Sequence, residues 1–225
     1  DFMESDARHV YAVITGDFIG FSGTEKNIRK SMPDVMARAG GLVQRILPGV
    51  MEGAVDVFRG DSWQALIKDP VYSLRTALVI RAFARSSLGS SGLDMRAAIG
   101  VGPVDYVQKA RVSAGDGAAF RRSGKMLEKM SSSRNAGLLR YSFPDLPQES
   151  LVDALVRTAG ALGCWRPLQA RAVIGVLEGK SRPEIAETWP GGISRQAVSA
   201  HLKNAQWPAL LHALEAFEHT HRTTL

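Results

Sequence analysis

The chain has 225 residues, a net charge of +6 and a single cysteine, Cys164. One cysteine excludes an intramolecular disulfide framework and a zinc site built from several cysteines, and charges interrupt every apolar stretch well before the roughly 18 residues that a membrane span needs. The hydrophobic fraction of 45% predicts a folded chain, and the excess of positive charge indicates a partner that carries phosphate. The first residues lack the pattern of a signal peptide, so we expect a cytoplasmic protein with no membrane partner.

Strand and helix patterns alternate through the first two thirds of the chain. Runs of β-branched and apolar residues predict strands, and apolar residues at helical spacing predict helices. In chain order we predict a strand at 9–14, a helix at 31–47, a hairpin at 54–67, a helix at 70–88, a strand at 95–101, a helix at 118–130 and a strand at 138–143. This βαββαβ order, extended by a helix and a strand, predicts an α+β, ferredoxin-like domain over residues 1–145 with its helices on one face of an antiparallel sheet.

Only helical patterns follow a linker at 144–147. We predict helices at 149–162, 167–177, 183–188 and 193–217. Residues 146–225 therefore form a separate all-α domain in this interpretation. On the helix at 70–88, we expect the side chains of Arg75, Arg81 and Arg85 to point outward.

The C-terminal segment carries the sequence pattern of a helix-turn-helix, within a three-helix unit at about 167–205. Ala186 is small where the first helix must approach the second, and Val198 would face back onto the first helix. Arg and Gln are side chains that can read guanine and adenine edges with two hydrogen bonds. We expect the second helix to contact DNA through Ser194, Arg195, Gln196, Ser199 and Lys203.

The alternative is a plain helical hairpin used for packing or dimerisation: one feature departs from the usual helix-turn-helix spacing, and the low net charge favours this alternative. The turn at 189–192 is about two residues longer than the usual three or four residues. In addition, residues 165–225 contain 7 basic and 5 acidic residues, a net charge of only +2, whereas residues 75–140 contain 12 basic and 4 acidic residues, a net charge of +8.

Four segments of the first domain carry candidate binding residues: 16–17, 59–64, 96–104 and 113–120. Two carboxylates at strand ends could hold Mg²⁺ or Mn²⁺, which favour oxygen ligands. A glycine-rich loop at a helix N-terminus, followed by basic residues, is a favourable phosphate cradle. We expect Asp17 and Asp61 to be the metal ligands. The residues expected to contact a nucleotide or phosphate are Asp17, Phe18, Arg59, Asp61, Gly115, Asp116, Arg121, Arg122 and Lys125.

Each carboxylate also has a purely structural interpretation. Asp17 could be a turn residue or a helix cap, Asp61 could form the hairpin turn, and Asp116 could cap the helix that follows it. The basic block at 75–140 favours the ligand-binding interpretation, because it places phosphate-attracting charge beside these residues.

In their order, the four segments resemble the core of the class III nucleotide cyclases. The whole chain resembles the SatD family, in which such a domain precedes a C-terminal helix-turn-helix. The matching segments are 14–17, 60–64, 99–102, 114–120, 177–181, 184–186 and 193–199. The resemblance implies a metal-binding Asp pair at Asp17 and Asp61, but the cyclase Asn and Arg on the following helix are replaced here by Ala119 and Ser123.

These observations together predict a homodimeric, DNA-binding transcription regulator. Its degenerate cyclase-like domain would bind a nucleotide or nucleotide second messenger without turnover, with Mg²⁺ or Mn²⁺ as a possible companion of the nucleotide. Two alternatives stay open: an active metal-dependent nucleotidyl cyclase, and a protein-interaction module that does not bind DNA.

Overall fold

The structure is a computed structural model that describes residues 2–4, 9–133 and 137–224. The strands within these ranges are β1 (Phe2–Glu4), β2 (Tyr11–Ile19), β3 (Met51–Phe58), β4 (Ser62–Ile67), β5 (Asp94–Gly102), β6 (Val104–Gln108), β7 (Arg111–Gly117) and β8 (Leu139–Ser142). The α-helices are α1 (Lys26–Ile46), α2 (Ser73–Leu88), α3 (Ala118–Ser132), α4 (Glu149–Leu162), α5 (Pro167–Leu177), α6 (Arg182–Glu187), α7 (Arg195–Asn204) and α8 (Trp207–Arg222).

Five strands form the central sheet, in the order β3-β4-β2-β5-β8. All neighbours are antiparallel except β5 and β8, which run parallel. The predicted mixed α+β class with a mainly antiparallel sheet is therefore confirmed. A second sheet, in the order β1-β6-β7, is antiparallel throughout. The hairpin of β6 and β7 was not predicted, because its glycines and charges resemble a loop.

Helices cover both faces of the central sheet. Alternate residues of a strand point to opposite faces, and on β2 Ile14 packs into the large core with α1 and α2, whereas Val13 packs with Phe120 of α3 and with the small sheet. On β5, Ala98 packs against Leu127 of α3. The expectation of helices on one face is therefore wrong. The reason is that α3 follows the unpredicted hairpin, which carries the chain to the other side of the sheet.

Two helix boundaries differ from the prediction. α1 begins at Lys26 rather than at Ser31, so Pro33 lies inside the helix. The single helix predicted at 193–217 is two helices, α7 and α8. Gln206 between them has a left-handed backbone (φ 55°), which interrupts the helical hydrogen bonds, and a proline in the first turn of α8 suits a new helix start.

The C-terminal helices share the large apolar core with the sheet, and Trp165 is buried where α2 and α5 meet. Arg81 of α2 also links the two parts of the chain. It was expected to point outward but is fully buried, and it donates to both carboxylate oxygens of Asp94 (3.1 and 3.0 Å) and to the carbonyl of Gly160 (2.7 Å). Because a buried charge is tolerated only when it is paired and hydrogen-bonded, this network explains the burial. Within the described ranges, no helix is both long enough and apolar enough to cross a membrane.

Candidate functional site

A cavity of about 610 Å³ lies between one end of the central sheet and α3. The β2–β4 register pairs Thr15 with Gln64 and Asp17 with Ser62, so these four polar side chains share the face that α3 covers. The remaining lining comes from the β3–β4 turn and from α3. These residues are Phe58, Arg59, Gly124, Leu127, Glu128, Ser131 and Ser132.

Asp17 lines this cavity, but its carboxylate is already paired. It was expected to follow the first strand; instead β2 continues to Ile19, and Asp17 lies directly opposite Arg96 of β5. The Arg96 guanidinium donates to both carboxylate oxygens of Asp17, from Nε at 2.7 Å and from Nη2 at 2.9 Å. Sequence reasoning missed this partner, because only the register of two distant strands places it there.

The surroundings of Asp17 and Asp61 do not fit the metal site expected there. Asp61 lies in the β3–β4 turn, where its carboxylate accepts a weak hydrogen bond from Ser62 Oγ (3.4 Å) and its backbone carbonyl accepts from the amide of Phe18 (3.2 Å). Both oxygens of Asp17 are taken by Arg96. Across the part of the chain that the structure describes, no three His, Cys, Asp or Glu side chains are grouped so that they could hold a metal ion.

Arg59 is the cationic residue at the rim of the cavity. It adopts a left-handed backbone conformation (φ 52°) in the β3–β4 turn, followed by Gly60 (φ 86°), as in the tight turns that connect hairpin strands. Its side chain has no ion-pair partner among the described residues. Phe18, by contrast, was expected to contact a ligand but is only 5% exposed. It points to the opposite face of the sheet from Asp17 and packs in the large core.

Buried hydroxyls connect the floor of the cavity to α3. Gln64 Nε2 donates to Thr15 Oγ1 (2.9 Å), and Thr15 Oγ1 lies 2.7 Å from Ser123 Oγ. Ser123 Oγ in turn donates to the carbonyl of Phe120 (3.1 Å), so Thr15 is the donor to Ser123. Ser123, the position of the cyclase Arg, therefore fastens α3 to the sheet, and its long-range partner could not be predicted from local sequence.

The glycines of the 99–102 segment allow α3 to lie close to the sheet. A Cβ atom on Gly100 would lie 2.4 Å from the carbonyl oxygen of Ala119 and 2.4 Å from the amide nitrogen of Ser123. Real Cβ contacts are essentially never shorter than 3.0 Å. This motif, which suggested ligand chemistry in the sequence, thus has a packing role.

The predicted phosphate cradle lies at the N-terminus of α3, away from the cavity. Asp116 occupies it: Arg121 donates to Asp116 (2.7 Å) and also pairs with Asp105 (3.3 Å). Arg122 donates to the carbonyl of Val101 and pairs with a further carboxylate, while Lys125 is exposed. These residues and Gly115 are not among those that line the cavity, whereas Asp17 and Arg59 are.

Ser194 caps the N-terminus of α7. Ser194 Oγ accepts a hydrogen bond from the amide of Ala197 (3.1 Å). Arg195, Gln196 and Lys203 are exposed, and none of their side chains has a hydrogen-bond or ion-pair partner among the described residues. Ser199 differs from the expectation, since it is half-buried and its hydroxyl donates to the carbonyl of Arg195 (3.0 Å).

The long turn before α7 is held by an aromatic stack. The ring of Trp189 stacks on His201 of α7, with centroids 5.6 Å apart and an interplanar angle of 1°, and the Arg171 guanidinium of α5 lies 5.6 Å from the centre of the Trp189 ring. Gly191 and Gly192 both have left-handed backbones, which complete the turn. The two extra residues thus place Trp189 where it contacts both neighbouring helices.

No protein-family model and no curated protein matches the chain. Among solved structures, the crystal structure of the guanylyl cyclase Cya2 is similar over 56% of this chain and 73% of its own, with 17% sequence identity and a TM-score of 0.42. At this level of similarity we infer neither an activity nor the role of any residue from it.

Proposed function

We propose that this protein is a transcription regulator that binds DNA through the exposed face of α7. The observation that carries the proposal is the absence of any partner, among the described residues, for the exposed side chains of Arg195 and Gln196 in the first turn of that helix. Side chains of these two types can each make two hydrogen bonds to a guanine or an adenine edge in the major groove. Lys203, further along the helix, adds a charge for phosphate contact.

The packing of α7 supports the same role. Its inward face buries Val198 and Leu202, and α6 contributes the buried Ile185 to the same core. A short helix gains little stability from its own backbone. The apolar core therefore stabilises α7, and the opposite face of α7 remains exposed to solvent. Helix-turn-helix proteins commonly bind two DNA half-sites as a dimer. The proposal therefore includes a homodimer. The resemblance to the SatD family supports the pairing of a sensor domain with such a helix.

Binding of the purified chain to a library of genomic fragments tests the proposal. We expect enrichment of particular sequences at moderate salt, and loss of at least tenfold in affinity for them in the double variant Arg195→Ala, Gln196→Ala. A matched control is Arg111→Ala, an exposed arginine of β7. If no fragment binds better than random DNA, the regulator proposal fails, and binding of a protein partner by the same face becomes the better interpretation.

We further propose that the 610 Å³ cavity binds a nucleotide without turnover. The supporting observation is the exposed cation Arg59, which has no ion-pair partner among the described residues and lies beside the hydroxyl and amide groups of the cavity wall. Such a set suits a phosphate attached to a polar body. The carboxylates of Asp17 and Glu128 and the apolar side chains of Phe58 and Leu127 complete the lining. The positions of the cyclase Asn and Arg hold Ala119 and Ser123, both fully buried. Neither can reach a ligand, which favours binding over catalysis.

A thermal-shift screen of nucleotides and cyclic dinucleotides, without added metal, tests this second proposal. A ligand present at a hundredfold excess over its Kd stabilises the folded chain by about 2.7 kcal/mol. We expect the shift to disappear in Arg59→Ala and to persist in Arg111→Ala. Product formed from ATP or GTP with Mn²⁺, and lost in Asp17→Asn, would instead establish the cyclase alternative.

A further inference from the structure

The turn between α5 and α6 lies against the C-terminal end of α1, and one carboxylate connects them. Glu178 Oε2 is 2.8 Å from Lys180 Nζ in the same turn, and Glu178 Oε1 is 4.0 Å from Arg45 Nη2 on α1. Arg45 remains 66% exposed and Lys180 38% exposed. Arg45, which belongs to the sheet-containing part of the chain, therefore lies near the turn that leads into α6.

Arg182 extends this group of cations, which we call the α6 strip (Arg45, Lys180 and Arg182). It is the first residue of α6, it is exposed, and it has no ion-pair partner among the described residues. Of the acids in this segment, Glu178 is shared between two cations, and Glu184 accepts from the backbone amide and the hydroxyl of Ser181 (2.7 and 2.6 Å). The third, Glu187, lies at the opposite end of α6 from Arg182. The side chains of Arg45, Lys180 and Arg182 all reach solvent.

Because α6 precedes α7 in the helix-turn-helix, the α6 strip would lie next to the DNA phosphates when α7 enters the groove. When the second helix of such a pair enters the major groove, the first helix crosses the sugar-phosphate backbone beside it. Contacts to backbone phosphates come chiefly from exposed Lys and Arg side chains, and they set affinity and orientation rather than sequence preference. The strip occupies the start of that first helix.

We propose that the α6 strip contacts the DNA phosphates next to the groove that α7 enters, with Arg45 as a contact supplied by α1. This inference rests on the proposed DNA-binding function and adds to it. The DNA footprint then extends beyond the helical C-terminal segment, and α1 of the sheet-containing segment contributes to affinity directly. Glu178 competes with phosphate for two of the three cations and so weakens DNA binding.

The test is the salt dependence of DNA affinity, measured on a preferred fragment and on random DNA. Each phosphate contact contributes about 0.9 to the slope of log K against log salt concentration. We expect Arg45→Gln and Arg182→Gln each to reduce the magnitude of the slope by about that amount, and to weaken both DNAs equally. Glu178→Gln should raise affinity, an outcome that a misfolded variant cannot produce. Arg111→Gln, on β7, is the matched control. Its DNA affinity and the slope of that affinity against salt should equal those of the unmodified chain.

The possible results separate this inference from the proposal on which it rests. Unchanged slopes in Arg45→Gln and Arg182→Gln, together with loss of sequence preference in the Arg195 and Gln196 double variant, would overturn the strip and leave the α7 proposal standing. Absence of DNA binding by the unmodified chain at low salt would overturn both. A slope change in Arg182→Gln alone would exclude α1 from the footprint and contradict the inference as stated.

Discussion

The Arg96 guanidinium holds both carboxylate oxygens of Asp17, at 2.7 and 2.9 Å, across the β2–β5 pair. The side chains are 24% and 15% exposed, so water screens the pair only in part. This two-pronged contact places a fixed positive charge where a divalent cation would otherwise be needed to neutralise Asp17. Asp17 is therefore neutralised by the protein itself. Of the charged residues that line the cavity, Arg59 and Glu128 have no ion-pair partner among the described residues.

A double-mutant cycle tests the strength of this pair. Because each single variant leaves one charge partly buried and unpaired, Arg96→Met and Asp17→Asn should each lower the free energy of unfolding, with a coupling of about 1–3 kcal/mol between them. Urea denaturation of the four proteins measures it. Additive effects would mean that solvent already satisfies both groups.

The close approach of α3 to the sheet predicts a contrast between two glycines. Gly100→Ala should destabilise the fold by about 1–3 kcal/mol, because its methyl group would overlap the backbone of α3. Gly124 lies within α3, and apart from its chain neighbours and the backbone of its own helix no atom of the described residues would lie within 4 Å of the added carbon. Gly124→Ala should therefore stabilise the fold by about 0.5–1 kcal/mol. Equal midpoints of urea unfolding for the two variants would contradict the described packing.

Substitutions of Ser194 separate helix capping from DNA contact. Ser194→Ala removes the hydrogen bond to the amide of Ala197 and should cost about 1 kcal/mol. Ser194→Asp keeps a capping oxygen, so its stability should stay near that of the unmodified chain, but its negative charge should weaken DNA binding. Thermal unfolding and fluorescence anisotropy measure the two effects. DNA affinity unaffected by Ser194→Asp would mean that this end of α7 does not face DNA.

A buried histidine predicts the acid sensitivity of the fold. His221 is fully buried; its Nδ1 lies 2.8 Å from the carbonyl of Phe217, which can only accept, so Nε2 accepts from the hydroxyl of Tyr141 at 2.6 Å. Burial lowers the pKa of His221 below its ordinary value of 6.5, and burial raises the pKa of Tyr141, which keeps its proton. The arrangement therefore requires a neutral imidazole.

The direction of the pH effect follows from proton uptake. As the pH falls below about 6.5, His221 takes up a proton in the unfolded chain but not in the folded chain. The contribution of His221 to the free energy of unfolding is therefore complete above about pH 6.5. It is lost as the pH falls toward the lowered pKa of the folded state. The loss should reach at most about 1.4 kcal/mol per pH unit. We expect His221→Gln to flatten the dependence of the free energy of unfolding on pH between 6.5 and 5. If the free energies of unfolding of His221→Gln and of the unmodified chain differ by the same amount at every pH, His221 is not the group that makes the fold sensitive to acid.

Much of the local structure could be predicted because it depends on nearest neighbours along the chain. The apolar runs of β2 and β5, the tight turn at Arg59 and Gly60, and the Ser194 cap each depend on a few consecutive residues. By contrast, the β6–β7 hairpin was missed because glycines and charges within a strand resemble a loop. The break at Gln206 was missed because the apolar spacing continues through it.

By itself, the sequence determined the α+β class, the helical C-terminal segment and the exposed Arg195 and Gln196 face, since hydrophobic periodicity and capping preferences act over short distances. The tertiary structure alone decided which charges are free. Within the described ranges, Arg81 and Arg96 have ion-pair partners and Arg59 has none, and Arg121 pairs with Asp116 outside the cavity that Asp17 lines. The physical reason is that pairing depends on strand register and helix packing between residues far apart in the chain. The net charge of +6 follows from composition, but only the fold shows which of the basic side chains are paired within the protein and which are exposed without a partner among the described residues.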